Sequence, residues 1–141
     1  MIDRDLIESK FDIIEKNLKF LEKFKEKSAE DLEKDYRDLQ AVKFSLFEIC
    51  EACIDIANHI IAAKGLERVE EYAKMFEVLA ENKIITKELG KRLARMAKFR
   101  NLLVHRYAEI RTEELVKIIR DDLTDVLNFM KEIEKVIKKG D

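Results

Sequence analysis

Between Phe99 and Tyr107 the chain runs Phe-Arg-Asn-Leu-Leu-Val-His-Arg-Tyr, so that Arg100, Asn101, His105 and Tyr107 fall within about two helical turns. Arg100 carries a permanent charge and a rigid fork of N–H donors that suits phosphate oxygens. His105 is the side-chain type that exchanges a proton near neutral pH. A guanidinium and an imidazole are the minimum equipment for cutting RNA without a metal. The imidazole can take the 2′-OH proton or return one to the leaving oxygen, while the guanidinium stabilises charge building on the phosphorus centre.

The surrounding charge is uneven. Residues 91–111 hold Lys91, Arg92, Arg95, Lys98, Arg100, Arg106 and Arg111 against Glu109 alone, whereas the 141-residue chain has a formal net charge of −2. The molecule as a whole has no general attraction for nucleic acid or anionic lipid, so any phosphate chemistry depends on this local stretch. The plainer reading of the same residues is a solvated basic face that pairs with acidic neighbours.

Helix geometry constrains how the pair can work. At 100° per residue Arg100 and His105 diverge by about 140°, Asn101 and His105 by about 40°, and Arg100 and Tyr107 by only about 20°. One straight helix therefore cannot aim both Arg100 and His105 at a single phosphate. Either the helix end unwinds, or two copies meet across a two-fold axis.

The elements that must hold these residues are helices. Proline is absent and glycine occurs three times, too few turn formers for an all-β chain. The expected fold is all-α, one domain over 1–141, built from about five helices in an antiparallel up-and-down bundle. Apolar residues at Ile7, Phe11, Ile14, Leu18 and Leu21 mark the first segment, about 2–26. Ser28 reads as the cap of a second, running to about Lys64 with Gly65 beyond it. At about 50 Å such a helix outgrows the globule and asks for a partner. A third spans about 69–81 and ends at Asn82; Thr86 caps a fourth that runs to about Arg106, and Thr112 caps the fifth.

Other classes find little support. No stretch approaches the ~20 apolar residues of a membrane span, and the acidic start has no signal-peptide core. Two cysteines without an export signal suit a reducing cytoplasm. Cys50 and Cys53 have CxxC spacing, but mid-helix and without a second pair they read as core thiols, and no metal or cofactor set is visible. His59 reads as a packed histidine, and Phe44, Phe47, Phe76 and Phe129 as core.

Arg100-x4-His105-x-Tyr107 resembles the Arg-x4-His-x-Tyr signature of the HepT-like toxins, within the HEPN group of helical nucleases. The resemblance extends to Asp55–Ile61, to Tyr72–Leu79 and to the run from Ile84 through Asn101. It implies a homodimeric bundle with a composite, metal-independent ribonuclease site between subunits. It further implies that Arg100 and His105 are the catalytic pair, that Asn101 supports them, and that a nucleotidyltransferase antitoxin of the MNT type adenylylates Tyr107. Asp55 or His59 could line the cleft. The alternative is a non-catalytic subunit that docks the nucleotidyltransferase or binds a nucleotide; it needs the same basic patch and the same tyrosine.

Overall fold

The computed structural model describes residues 1–140, and among them there are helices and turns but no strands. Helix α1 (Arg4–Leu21) starts at Asp3, whose side chain accepts from the Leu6 amide. It ends about five residues earlier than its periodicity predicts, when Glu22–Phe24 tighten into a 3₁₀ turn. The second predicted helix is two. Ser28 and Asp31 form a reciprocal capping box over short α2 (Ala29–Glu33). Asp35 then leaves helical geometry (φ −121°, ψ 102°) and accepts from the Asp38 amide to start α3 (Tyr36–Ala63). An aspartate inside a helical pattern can compete for backbone N–H groups in this way. The break shortens the long helix to 28 residues, about 42 Å, and Gly65 closes it at φ 65°.

Helix α4 (Tyr72–Glu81) begins three residues later than the pattern suggests. The left-handed residue after it is Lys83 (φ 60°), while Asn82 stays right-handed. Thr86 caps α5 (Lys87–His105), as its sequence predicts. The last predicted helix is again divided, into α6 (Thr112–Lys117), one π-helical turn (Ile118–Asp122) and α7 (Leu123–Lys138). Its N-cap is Arg111 rather than Thr112, which is the first helical residue and buried.

Helices α1, α3, α5 and α7 enclose one core centred on Ile14, Val42, Ile56, Phe76, Leu93 and Phe129, with the Phe76 and Phe129 rings edge to face at 5.7 Å. Inside it Ser45 donates to Asn17 (2.7 Å), and Asn17 donates to Glu48 (3.2 Å), which fixes the α1–α3 register. Helices α4 and α5 approach so closely that a β-carbon on Gly90 would lie 2.8 Å from Ala80 Cβ and 3.3 Å from the Phe76 carbonyl. Neither neighbour is a flexible tip. Gly90→Val is expected to lower stability by about 1–3 kcal/mol through overpacking, measurable by urea unfolding; an unchanged midpoint would mean the helices slide apart freely.

Candidate functional site

Helix α5 carries Arg100 and Asn101 in its last turns and ends on His105. Arg106 leaves the helix (φ −136°, ψ 42°), and Tyr107 opens a 3₁₀ turn, Tyr107–Glu109. The angle separating Arg100 from Tyr107 on one straight helix therefore does not apply. What brings Tyr107 near the site is the turn folding back onto α3.

Arg100 is the most enclosed member, its side chain 15% exposed. Its Nε donates to Glu51 on α3, and its Nη1 donates to the Asn101 carboxamide oxygen at 3.2 Å. The guanidinium lies over two rings, 4.8 Å from the centre of Tyr72 and 5.8 Å from that of Phe47. A charge-assisted bond and two aromatic faces hold the fork in one orientation while part of it stays open to solvent. His105 is exposed at the helix end, and its ring has no hydrogen-bond partner among the described residues.

Tyr107 is 36% exposed. Burial, with Tyr36 beside it, holds its phenol above the ordinary tyrosine range, so the group is a neutral O–H. On the other side stands Lys43, only 7% exposed. Its ammonium sits 4.5 Å from the centre of the Tyr107 ring and donates to the Tyr107 carbonyl at 3.4 Å. Sequence reasoning missed Glu51 and Lys43. The available signal was a charge falling beside buried residues of an apolar helix, at Val42-Lys43 and Cys50-Glu51.

The basic stretch is divided between both of its readings. Arg92 pairs with Asp125 (2.7 Å), Arg100 with Glu51, Arg106 with Glu109 (3.3 Å) and Arg111 with Glu113 (3.9 Å). Lys91, Arg95 and Lys98 have no carboxylate partner among the described residues. A cavity of 260 Å³ opens on a different face of α5, among Leu46, Cys50, Met96, Phe99 and Val126; neither Arg100 nor His105 lines it. His105 instead stands on open surface, and Arg100 is half-buried against Glu51, Phe47 and Tyr72.

The remaining candidates are engaged elsewhere. His59 Nε2 accepts from the Asp3 amide at 2.9 Å, and Asp55 bridges to Lys10 at 2.9 Å. Of the predicted core rings, Phe44 is 58% exposed. Cys50 and Cys53 are buried and free, and burial pushes the Cys50 thiol up to about 12 and the Cys53 thiol well above its ordinary range. Both are expected to resist a disulfide-exchange reagent in the native protein, reacting at least about a hundredfold faster in denaturant; rapid native labelling would contradict their burial. Among the described residues, no group of three or more His, Cys, Asp or Glu could hold a metal ion, and no helix is long and apolar enough to cross a membrane.

Residues 14–133 match the ribonuclease HepT-like family. The chain is 35% identical over 96 residues to the mRNA nuclease HepT of Shewanella oneidensis, covering 68% of this chain and 72% of that one. It is 26% identical over 136 residues to the tRNA nuclease HepT of Aphanizomenon flos-aquae, covering 96% and 92%. Its fold superimposes with a TM-score of 0.84 on the tri-AMPylated Shewanella oneidensis HEPN toxin solved in complex with its MNT antitoxin, at 30% identity and covering 93% of this chain and 98% of that one. With its Arg-x4-His-x-Tyr residues at the end of α5 and this fold around them, the chain belongs to the ribonuclease HepT-like family and is a HEPN-type ribonuclease toxin.

Proposed function

We propose that this protein cuts RNA at a site shared by two copies of the chain, with Arg100 and His105 as the catalytic pair, and that adenylylation of Tyr107 silences it. The observation that carries the reading is the fixed Arg100 fork and, one turn on at the end of the same helix, an exposed His105 whose ring has no hydrogen-bond partner among the described residues. His105 takes the proton from a ribose 2′-OH. The 2′-oxygen then attacks the adjacent phosphorus, and the bond to the 5′-oxygen breaks as that oxygen gains a proton. Arg100 neutralises the charge gathering on the phosphoryl oxygens, and Asn101 supports the fork.

A second copy accounts for two features of the surface. Arg100 and His105 point away from each other on α5, so one chain cannot close them on one phosphate. Leu102, Val104 and Tyr107, next to the pair in sequence, are large and exposed, as are Tyr36 and Phe44 on α3, side chains that a second copy would cover.

The switch follows from charge. The Tyr107 phenol oxygen attacks the α-phosphorus of ATP, pyrophosphate departs, and the phenol proton is lost. The attached nucleotide brings anionic phosphate into the space that RNA must use. The partner doing this is a nucleotidyltransferase antitoxin of the kind bound to the Shewanella oneidensis toxin.

The test is direct. Purified protein in excess chelator is expected to cleave RNA. Co-expression with such an antitoxin is expected to add AMP in whole units to Tyr107 and to stop the cleavage. A Tyr107→Phe variant that gains the same mass would remove the switch, and RNA left intact by the unmodified protein would remove the nuclease.

A further inference from the structure

Two cations serve the site, and they are not equivalent. Arg100 is neutralised by Glu51. Lys43 is more deeply placed, yet among the described residues no carboxylate lies within ion-pair distance of its ammonium. Both of its partners belong to Tyr107, one a carbonyl and the other a ring face. A buried ammonium satisfied only by dipoles and a π-face is a costly arrangement to keep. An anion beside the ammonium would offset that cost, and the ammonium lies against Tyr107, the proposed point of modification.

The register of α3 connects this ammonium to the reaction. Lys43, Phe47 and Glu51 follow one another at intervals of four, so they share a face. Arg100 stands over Phe47 and is tied to Glu51. Lys43 therefore lies about one turn, some 6 Å, along α3 from the ring beneath Arg100. That spacing suits a phosphate neighbouring the one being cut. The phenol oxygen of Tyr107 projects from the ring whose face the ammonium covers, so a phosphoryl group bonded to that oxygen also comes within reach of Lys43.

We propose that Lys43 is a phosphate subsite with two successive occupants: a backbone phosphate of single-stranded RNA in the free toxin, and the phosphate joining the nucleotide to Tyr107 in the silenced one. This rests on the reading of Tyr107 as the modified residue. It adds that AMP inhibits by filling a position the substrate needs, and that the filled position gains a counter-ion that stabilises the modified protein.

The variant that separates charge from packing is Lys43→Gln, because glutamine can still donate to the Tyr107 carbonyl. The probe is a 2′-O-methyl RNA oligonucleotide, which binds but has no 2′-OH to be cut. Between the wild type and Lys43→Gln, the slope of log affinity against log salt is expected to shrink by about 0.7, the value of one single-strand phosphate contact. Lys43→Arg is expected to restore it. A slope unchanged in Lys43→Gln would overturn the proposal and leave Lys43 as a prop for the turn.

In a second arm, adenylylation is expected to raise the melting temperature of the wild type by a few degrees and that of Lys43→Gln by less; equal rises would contradict the counter-ion. If the wild type takes no nucleotide on Tyr107, the switch falls, while the salt slope of unmodified protein still decides on Lys43. If the wild type does not bind the oligonucleotide, the nuclease reading and this one fall together.

Discussion

Replacing His105 by alanine is expected to slow RNA cleavage by about 10²–10⁴-fold, the usual contribution of a positioned proton-transfer group, with no loss of helical signal. The size follows from the position. His105 is the last residue of α5, exposed, with no ring partner among the described residues and no part in the core, so its removal leaves neither a cavity nor an unpaired buried group. Surface substitutions of this kind change stability by little. Cleavage time courses with melting curves on the same preparation check both halves of the expectation. A variant that cuts at the wild-type rate would place the chemistry on other residues.

The second large effect belongs to a residue outside the signature. Glu51→Ala is expected to lower kcat by about 10²-fold with a smaller change in KM, because Glu51 aims the Arg100 fork and does not itself touch the substrate. Misplacing a catalytic group by about 1 Å costs a factor of this order. The guanidinium keeps its charge in Glu51→Ala and loses the carboxylate that neutralises it, so its attraction for RNA is retained. Glu51 is 34% exposed, so the pair contributes less to stability than a fully buried one. Glu51→Gln keeps an acceptor for Nε and is expected to recover part of the rate. Equal rates in the alanine and glutamine variants, or a loss seen only in KM, would show that Glu51 does not position Arg100.

The residues that made the site legible in the sequence were those whose spacing is local. Arg100, Asn101, His105 and Tyr107 lie on one short stretch; the caps Ser28 and Thr86 and the left-handed Gly65 are likewise each set by residues within a turn, and these three the structure keeps. Glu51 and Lys43 were not legible. Each is a single charge on an amphipathic helix, and its meaning comes from a partner 49 or 64 positions away.

The helix breaks failed for a related reason. Hydrophobic period passes unchanged through Lys34-Asp35 and through Ile118–Asp122. It reports which face is buried, not whether an Asp35 carboxylate captures the Asp38 amide or one turn widens to π geometry. Tyr107 shows both sides at once. Its place in the motif was plain, but its position depends on Arg106 leaving the helix and on Lys43 holding the turn that follows.

Complementation between two inactive chains tests most directly whether one subunit's arginine and the other's histidine meet on a phosphodiester. Arg100→Ala and His105→Ala, carried on differently tagged copies and purified as the mixed dimer, are each expected to be inactive alone and to recover up to about half the wild-type rate together, since one of two symmetry-related sites is then whole. A mixed dimer as inactive as either parent would contradict it.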